Sequence, residues 1–257
     1  MTIKKPEYKD YINWLKKEHS INILEQERLY SSISTKMKSD FVTSTFWKEF
    51  NENLSDYNDQ YFLDNKYDLL MHREIVPDIL IKPFKSFLEK TYRKNILNNS
   101  NWPNEPDMGW LLPYKWYSQI NDILRTIIIV KYLDGVEFII NKIDNLSREC
   151  GLNCKTHLES RIDGYYAAHI YLKNQFEIPI GIKTEFINVS IEFQITTQLQ
   201  EIIKQLLYSH YAKKRKIKSV NDDWQWDYQS DEFLANNLGH ILHYVEGMIM
   251  EVREKQR

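Results

Sequence analysis

One segment of the 257-residue chain restricts its fold more than any other: residues 123–133, ILRTIIIVKYL. The segment is almost continuously apolar and rich in β-branched side chains, which is typical of a strand buried on both faces. Apolar residues before and after it recur with helical spacing instead. The sequence therefore predicts a small sheet flanked by helices, which is an α+β fold.

The remaining elements follow from the same periodicities. Five helical regions are predicted, over residues 6–59, 78–97, 134–149, 197–217 and 230–255. Asp78 is a candidate N-cap for the second of them. Two more strands are predicted at 164–173 and 188–196. In the latter strand apolar and polar side chains alternate, so one face carries the polar groups.

Composition excludes several classes of protein. Only seven scattered glycines are present, so neither a P-loop nor a dinucleotide-binding fingerprint can form, and side-chain cations must hold any phosphates. A net charge of −2 limits nucleic-acid contact to a local basic patch. The sequence shows no signal peptide and no run of about 20 apolar residues that would span a membrane. We therefore expect a cytoplasmic protein with Cys150 and Cys154 as free thiols.

Three cations and a hydroxyl recur in the helical region that begins at Asp78. They are spaced by four, four and three residues, which places them on one face of a helix. The four residues are Lys82, Ser86, Lys90 and Arg93. Such a face can line up along a triphosphate, but a solvated basic stripe has the same spacing. The pattern alone leaves both interpretations open.

Two carboxylates lie on or beside the predicted strands. Asp122 precedes the buried strand, and Glu192 shares the polar face of the last strand with Gln194. Acids on neighbouring strands can hold Mg²⁺ through oxygen ligands, and one of them can accept a proton from an attacking hydroxyl. Phosphoryl-type transfer needs this equipment. A single strand glutamate is also compatible with an ordinary surface residue.

The hexamer GYYAAH at residues 164–169 is a third candidate. Glycine allows the backbone to approach a ligand closely, and Tyr165 can stack on a nucleobase. The hexamer is equally compatible with a core strand that carries a hydrogen-bonded His169.

Two charged clusters near the end of the sequence are also open to functional and structural interpretations. The run AKKRKIKS at 212–219 suits RNA phosphates, although cations are favourable at any helix C-terminus. Its five cations are Lys213, Lys214, Arg215, Lys216 and Lys218. His240, His243 and Glu246 recur every three residues, and a packed helix with hydrogen-bonded histidines explains them better than a metal site.

Taken in order, four blocks between residues 78 and 197 resemble the synthetase domain of RelA/SpoT-type enzymes. The family pattern is Lys-x-x-x-Ser-x-x-x-Lys, then Asp-Ile at a strand start, then Gly-Tyr-x-x-x-His, then Glu-x-Gln-Ile-x-Thr. In this chain the blocks are Lys82/Ser86/Lys90, Asp122-Ile123, Gly164-Tyr165…His169 and Glu192-Phe193-Gln194-Ile195-Thr196-Thr197. The match covers nearly half of the chain, with all four blocks in family order.

The resemblance implies a nucleotidyltransferase-like fold in which ATP donates its β,γ-pyrophosphate to a ribose hydroxyl. The contacts to ATP phosphates implied by position are Lys82, Ser86, Lys90 and Arg93. Asp122 is implied to bind Mg²⁺, and Glu192 to assist it or to act as base. Tyr165 is implied to stack on the acceptor base, with His169 near the acceptor.

The resemblance also implies a division of the chain and a catalytic set. The pyrophosphotransferase core is expected at 77–217, between an N-terminal helical extension at 1–76 and a C-terminal one at 218–257 that packs on the core. The candidate catalytic residues are Asp122, Glu192, Arg125 and Gln194.

Departures from the family pattern remove polar groups mainly on the acceptor side. The family usually has Arg two residues before the first Lys, where this chain has Leu80. On the first strand, Arg125 and Ile127 stand where the family has Gly and Arg, and Arg125 can supply the missing cation because the two positions share a strand face. Gln-Ile-Arg-Thr has become Gln-Ile-Thr-Thr, and Tyr-Arg-Ser-x-His has become Tyr-Tyr-Ala-Ala-His.

This mixture looks like the toxic small alarmone synthetases of toxin–antitoxin systems, whose FaRel- and CapRel-type members pyrophosphorylate the 3′ CCA end of tRNA. It implies a tRNA 3′ end as acceptor, a small neutralising antitoxin protein as partner, and a block on aminoacylation and translation. Lys36 and Lys38 join the basic run as candidate contacts to tRNA phosphates. Two alternatives stay open. One is a small alarmone synthetase that makes (p)ppGpp or (p)ppApp from a free purine nucleotide, and the other is an inactive RNA- or partner-binding relative.

Overall fold

The computed structural model describes residues 4–71, 76–181, 183–207 and 222–256. The α-helices in these ranges are α1 (Tyr8–His19), α2 (Ile23–Val42), α3 (Thr45–Glu52), α4 (Leu54–Asn65), α5 (Phe84–Tyr92), α6 (Pro113–Gln119), α7 (Leu133–Glu149), α8 (Gln198–Leu206) and α9 (Asp231–Lys255). The strands are β1 (Leu80–Ile81), β2 (Leu124–Val130), β3 (Asn153–Ser160), β4 (Tyr166–Ile180) and β5 (Lys183–Thr197). A π-helical segment (Arg93–Leu97) follows α5, and a 3₁₀ turn (Asp222–Gln225) precedes α9.

The five strands form one sheet in the order β1-β2-β5-β4-β3. β1 pairs antiparallel with β2, so that Leu80 lies opposite Arg125 and Ile81 opposite Leu124. Along β2 the even-numbered side chains are buried and the odd-numbered ones half-buried, as the alternation of a strand requires. Helices and a small sheet together confirm the α+β class predicted from the sequence.

Most predicted elements are confirmed, but the strands β1 and β3 were not predicted, and the helix α6 lies where a loop was expected. The helices before residue 66, α7 and α9 are present, as are β2, β4 and β5. The helix predicted at 197–217 is confirmed through Leu206, and residues 208–221 lie outside the described ranges. β3 was not predicted because its sequence, NCKTHLES, is mostly polar and largely exposed, so it has no apolar face to reveal a strand.

The helix predicted to begin at Asp78 is wrong at its start. The chain first forms β1, and α5 begins only at Phe84. The reason is Pro83, which disfavours helical backbone at the residue before it and has no N–H to donate. Pro83 is the N-cap of α5, and no side chain caps that helix. Lys82 therefore lies outside the helix and does not share a face with the cations of α5.

The described residues divide into two compact units, each built from three segments. The first unit is drawn from Met1–Ser44, Ile79–Arg125 and Lys173–Glu192. The second is drawn from Thr45–Asp78, Thr126–Leu172 and Phe193–Arg257. None of the helices in the described part of the chain has both the length and the apolar character needed to cross a bilayer.

In the first unit, α1 packs against α5 and the π-helical segment around a buried polar centre. The apolar core consists of Tyr11, Leu15, Ile21, Leu88 and Ile96. Tyr11 donates from its hydroxyl to Thr91 Oγ1 at 3.1 Å and accepts from Asn95 Nδ2 at 2.8 Å. Asn95 also bonds both the N–H and the carbonyl of Leu111. These bonds satisfy every polar group they bury and fix the position of α5.

In the second unit, aromatic side chains of α3 cover β5. The ring centroids of Phe46, Trp47 and Phe50 lie 5.9, 6.0 and 6.0 Å from that of Phe193. At these distances aromatic pairs contribute to stability beyond the area that they bury.

The long helix α9 is held in the second unit by an arginine and a glycine. Arg253 lies over the rings of Tyr67 and Tyr132, at 4.3 and 4.1 Å from their centroids, and pairs with Asp134 at 2.9 Å. At Gly239 a Cβ atom would lie 2.2 Å from the carbonyl oxygen of Gly164, so only glycine allows this approach.

Candidate functional site

Asp122 is the centre of a charged cluster in the first unit. Its Oδ2 accepts a hydrogen bond from Lys82 Nζ at 3.0 Å, and its Oδ1 accepts one from Lys90 Nζ at 2.8 Å. The side chains of Asp122, Lys82 and Lys90 are 14%, 12% and 25% exposed, so both ion pairs are largely removed from water. The structure thus brings together one predicted carboxylate and two of the predicted cations.

Strand pairing, and not a helical face, brings Lys82 to Asp122. The register of β1 and β2 places Lys82 beside Ile123, whose carbonyl accepts from the Lys82 N–H at 2.9 Å. The carbonyl of Lys82 accepts from the Tyr30 hydroxyl of α2 at 2.7 Å. Both main-chain groups of Lys82 are therefore fixed beside the residue that precedes β2.

The charges of this cluster alter one another's protonation. Burial by itself raises the pKa of Asp122. The neighbouring Lys90 and Lys82 lower this pKa by a larger amount, so that it falls to about 2. Burial lowers the pKa of Lys82; Asp122 opposes this effect, and the charges of Lys90 and Arg125 add to it. Burial also lowers the pKa of Lys94, with a contribution from Lys90. Cations thus outnumber the ionised carboxylate at the centre of the cluster, an arrangement that suits a polyanionic ligand.

Arg125 adds a guanidinium to this cluster from the half-buried face of β2. Its Nε is buried and has no hydrogen-bond partner among the described residues. A buried N–H without a partner costs about 1–3 kcal/mol, which a bound acceptor group would recover. Arg125 is therefore a candidate to bind an acidic ligand group.

The other residues predicted on this side occupy three different elements. Glu192 is buried in β5, on the face that it shares with Gln194. Ser86 is exposed in the first turn of α5, where no side chain caps the helix, and such a turn attracts anions. Arg93 begins the π-helical segment and is half-buried. Segments of this kind are frequent at functional sites.

In the second unit, Tyr165 connects two of the four motif blocks. Its hydroxyl accepts from Gln194 Nε2 at 2.6 Å and lies 3.2 Å from Nε2 of the buried His169. Gly164, immediately before it, has φ of 77°, a conformation that favours glycine. The predicted acceptor-side residues are thus in direct contact with one another.

Sequence reasoning missed two further members of this group, Glu159 and Arg161. Glu159 Oε2 lies 2.9 Å from His169 Nε2, and Glu159 Oε1 accepts from Arg161 Nε at 2.6 Å. The Arg161 guanidinium lies 4.7 Å from the centroid of Tyr165, over one face of the ring. Burial raises the pKa of Glu159, but Arg161 lowers it more. The signal in the sequence was only the closeness of Glu159 and Arg161 to the GYYAAH block, because β3 itself was not predicted.

The histidines of α9 contact a residue of the same block. His240 Nδ1 lies 2.8 Å from the Tyr166 hydroxyl, and the His243 ring stacks on the Tyr166 ring with centroids 3.8 Å apart. Glu246, which is buried, accepts from Thr197 Oγ1 and lies within 3.4 Å of Gln200 Nε2. These contacts fit the packed helix with hydrogen-bonded histidines that the sequence favoured.

The remaining candidates do not add to either group. Residues 213–218, which carry the basic run Lys213, Lys214, Arg215, Lys216 and Lys218, lie outside the described ranges. Lys36 forms a surface ion pair with Asp40 at 2.8 Å, and Lys38 is half-buried on the same helix. Among the described residues, no group of three or more His, Cys, Asp or Glu side chains is arranged to hold a metal ion.

Comparison with known proteins places the fold. No model of a protein family matches the sequence, and a search of curated proteins gives no significant match. Solved structures do match. Small alarmone synthetase 1 from Bacillus subtilis, bound to its product pppGpp, gives a TM-score of 0.54 at 14% identity, over 86% of this chain and 98% of that one. A GTP pyrophosphokinase family protein from Streptococcus pneumoniae gives 0.53 at 15% identity, over 91% and 95%. This chain has the fold of the small alarmone synthetases.

Small alarmone synthetase 2 from Bacillus subtilis supports the same assignment, with a TM-score of 0.50 at 15% identity over 81% of this chain and 93% of that one. The nucleotidyltransferase-like sheet implied by the motif resemblance is thus present. On this synthetase fold, the Asp122 cluster lies in or next to β1, α5 and β2, whereas the Tyr165 group lies in or next to β3, β4 and β5.

Proposed function

We propose that this chain transfers the β,γ-pyrophosphate of ATP to the 3′-hydroxyl of the tRNA CCA end, and that it is the toxin of a toxin–antitoxin system. The observation that carries the proposal is the pair of partly buried ammonium groups, Lys82 and Lys90, held on the carboxylate of Asp122. The similarity to solved synthetases establishes the fold, and the side chains of the Asp122 cluster are our reason for proposing this reaction class.

The donor side follows from the charges of the Asp122 cluster. An ATP triphosphate needs several cations and, without a glycine-rich loop, these must be side chains. Lys82, Lys90 and Arg125 lie together here, and the uncapped first turn of α5 with Ser86 adds a site that favours anions. Arg93 is proposed to extend this set along the phosphates. Most catalysis of such transfers comes from positioning and from neutralising phosphate charge.

The bond changes in the proposed reaction are those of a displacement at phosphorus. The ribose hydroxyl oxygen bonds to the β-phosphorus of ATP, and the bond from that phosphorus to the α,β-bridging oxygen breaks. AMP leaves with the electron pair of that bond. The hydroxyl proton passes to a carboxylate, for which we propose Glu192. Lys82 and Lys90, now held on Asp122, turn to the phosphate oxygens and stabilise the charge that moves to AMP.

We propose that Asp122 and Glu192 would hold Mg²⁺. Both supply oxygen ligands, and a pKa of about 2 keeps Asp122 ionised at neutral pH. Magnesium is commonly held by one or two carboxylates together with substrate phosphates, so two protein ligands are sufficient. When bound, the ion would act as a Lewis acid on the phosphate oxygens.

The acceptor side favours an adenosine at the end of an RNA over a free nucleoside di- or triphosphate. A free nucleotide brings a 5′-phosphate chain that needs its own cations. In the Tyr165 group, Arg161 is already paired with Glu159. Tyr166, at a position where the family has Arg, contacts His240 and His243. We propose that Tyr165 stacks on the terminal base and that the basic run that begins at Lys213 holds the tRNA phosphates.

The second candidate is an alarmone synthetase that makes (p)ppGpp or (p)ppApp. It is favoured by the Bacillus subtilis synthetase of the same fold, whose structure was solved with pppGpp. The two candidates share a donor and differ only in the acceptor.

One assay distinguishes them. Purified full-length protein is incubated with γ-³²P-ATP, Mg²⁺ and either deacylated tRNA or GDP and GTP. We expect label on tRNA, its loss when the 3′-hydroxyl is oxidised with periodate, and little label on the free nucleotides. Efficient labelling of GDP or GTP, with none on tRNA, would establish the alarmone alternative. Absence of label on every acceptor would support the remaining alternative, an inactive RNA- or partner-binding relative.

The toxin role is tested in cells. We expect expression of the chain alone to stop bacterial growth and co-expression of a small neutralising protein encoded nearby to restore it. The Asp122→Asn variant, expressed to the same level, is the control and should be harmless. Growth unaffected by an active enzyme would refute the toxin role without affecting the assigned chemistry.

A further inference from the structure

The first unit contains a cavity of about 290 Å³ that is separate from the Asp122 cluster. Its walls come from the turn between α1 and α2 with the first two turns of α2, from α6 and the residue before it, and from the turn between β4 and β5. All three parts belong to the first unit. The volume is close to the lower end of the roughly 300–1,000 Å³ that is typical of ligand sites, so the cavity suits one ring system and not a whole nucleotide.

The walls of this cavity carry no formal charge. None of the described residues that line it is a Lys, Arg, Asp or Glu. Burial lowers the pKa of His19 by more than Glu18 raises it, so the imidazole is neutral at pH 7. Phosphates and carboxylates that leave water need cations to bind, and this lining offers none. The part of a ligand that enters the cavity is therefore uncharged.

Rings and prolines form much of the cavity wall. Tyr114 and Tyr117 contribute rings from α6, and His19 contributes its ring from the end of α1. Pro113 and Pro179 add two rigid apolar faces. Aromatic side chains stack on planar ligands, so the wall favours a flat ring over a branched aliphatic group. The other apolar side chains of the wall are Ile21, Leu29 and Leu112.

Two polar side chains of the wall are available to a ligand. Tyr117 is only 5% exposed, and Gln26 is half-buried. Neither side chain forms a hydrogen bond with another residue in the described part of the chain. The hydroxyl of a buried tyrosine usually has a partner, and a glutamine amide presents a donor and an acceptor side by side. A ring with a donor and an acceptor on one edge is complementary to this pair.

The wall formed by the turn between α1 and α2 is already fixed. The N–H of Ile21 donates to the carbonyl of Leu15 at 3.2 Å, which closes the end of α1. The ring centroid of His19 lies 4.7 Å from that of Trp14 and 5.6 Å from that of Trp110. A wall held in this way costs little to order when a ligand binds.

We propose that this cavity binds a nucleobase, with Gln26 and Tyr117 bonding the polar edge of the base. Nucleobases are uncharged planar rings with adjacent donors and acceptors, and a glutamine pairs with N6 and N7 of adenine through two bonds. The base belongs either to a free nucleoside or to an RNA chain. The proposal does not depend on the reaction assigned to the Asp122 cluster, because no described residue that lines the cavity belongs to that cluster or to the Tyr165 group.

Isothermal titration calorimetry of the full chain with adenosine tests the proposal. Saturating α,β-methylene-ATP is present to fill the donor site of the proposed function. Adenosine should bind with a Kd between about 10 µM and 1 mM. Inosine, which lacks the 6-amino donor, should bind at least about fivefold more weakly, and ribose should not bind. AMP should bind no more tightly than adenosine, because no described residue of the wall offers a cation to its phosphate.

Variants of α2 locate the binding site. Leu29→Trp adds bulk at the rim of the cavity and should abolish adenosine binding. Gln26→Leu removes the amide and should weaken binding about five- to tenfold. Leu24→Trp is the matched control, because Leu24 is 70% exposed on the same helix outside the cavity wall, and should bind adenosine like the wild type. Melting by circular dichroism confirms that each variant is folded.

Two trinucleotides distinguish the sources of the base. If UpApU binds at least as tightly as adenosine and UpUpU does not, the cavity accepts a base within an RNA chain. If only adenosine binds, a free nucleoside is the ligand, and either result supports the site.

The proposal would be overturned if no nucleoside bound, or if Leu29→Trp bound adenosine as the wild type does. Loss of adenosine binding when the analogue is present would overturn it as well, by placing the nucleoside in the donor site. So would a cavity that takes an aromatic side chain of another protein and no nucleoside. A chain that binds adenosine but not the analogue would count against the proposed function alone.

Discussion

Arg125 of β2 lies directly opposite Leu80 of β1 in the antiparallel pair. Leu80 stands where the RelA/SpoT-type synthetases that this sequence resembles usually have an arginine, and we propose that Arg125 supplies that guanidinium from the neighbouring strand. Directly opposed residues have Cβ atoms about 4.5–5.5 Å apart and point to the same face of the sheet. A cation on either strand can therefore reach the same region.

This relationship predicts that an arginine at either position can bind the same phosphate group. Arg125→Leu should lower kcat/KM for transfer from ATP by about 10- to 100-fold, because a charge-assisted hydrogen bond to phosphate is lost. The double variant Leu80→Arg/Arg125→Leu should recover most of the activity. Steady-state kinetics with varied ATP measure both. If the double variant is as poor as Arg125→Leu, then Arg125 acts through its place on β2 and not as a transferable cation.

Asp122→Asn should abolish transfer and also reduce stability. The amide cannot hold Mg²⁺ as a carboxylate does, so activity should fall on the order of 1,000-fold. A pKa displaced from 3.8 to about 2 corresponds to about 2 kcal/mol of stabilisation at neutral pH. Because this pKa is lower in the folded chain, the stabilisation is complete above pH 3.8 and is lost as the pH falls towards 2.

Urea unfolding at pH 7 and at pH 3 measures this stability difference, which should be smaller at the lower pH. Asp40→Asn is the control, because the ion pair of Asp40 with Lys36 lies on the surface and contributes little. An Asp122→Asn protein that retains near wild-type activity would remove the carboxylate from the proposed metal site.

Tyr165 allows stacking and hydrogen bonding to be separated. Tyr165→Ala should lower kcat/KM for tRNA by about 10- to 100-fold, since a base-stacking contact is worth about 1–3 kcal/mol. Tyr165→Phe keeps the ring and loses the hydroxyl that contacts Gln194 and His169, so kcat/KM should fall about fivefold. The KM for ATP should change in neither. Equal damage from both substitutions would show that the hydroxyl, and not the ring, is what matters.

Two glycines of the same helix should respond oppositely to alanine. A Cβ at Gly239 would lie 2.2 Å from the backbone of Gly164, so Gly239→Ala should lower the free energy of unfolding by about 1–3 kcal/mol. At Gly247 a Cβ meets nothing within 4 Å, so Gly247→Ala should raise it by roughly 0.5–1 kcal/mol through helix propensity. Thermal unfolding monitored by circular dichroism compares the two. A stable Gly239→Ala protein would contradict the close packing of α9.

The sequence predicts the elements whose own residues show a periodicity. It does not predict features that depend on a neighbouring residue or on contact with another element. β2, α7 and α9 were predicted because a continuous apolar run or a helical stripe is visible in each of them. The start of α5 was misplaced because helical spacing continued through Pro83, whose effect on the residue before it outweighed the pattern.

The candidate site shows the same limit. Lys82, Lys90 and Asp122 were identified from motif order, but their meeting depends on the pairing of β1 with β2, which no local pattern reveals. Glu159 and Arg161 were missed because a polar strand has no distinctive period. The use of Tyr166 as a contact for α9 depends on a helix some 75 residues away, which is beyond the reach of motif reasoning.

The bond between Thr197 and Glu246 also sets an order of events during synthesis. The two residues are 49 positions apart, so the ribosome finishes β5 well before it makes the carboxylate that holds the end of that strand. Gly164 is likewise translated before Gly239, the residue against which it packs. The residues of the Asp122 cluster are all translated before α9, whereas the packing around Thr197 and Gly164 is completed only by the last helix described. The charges of the Asp122 cluster are therefore all present in a nascent chain before the helix that supports the Tyr165 group has been made.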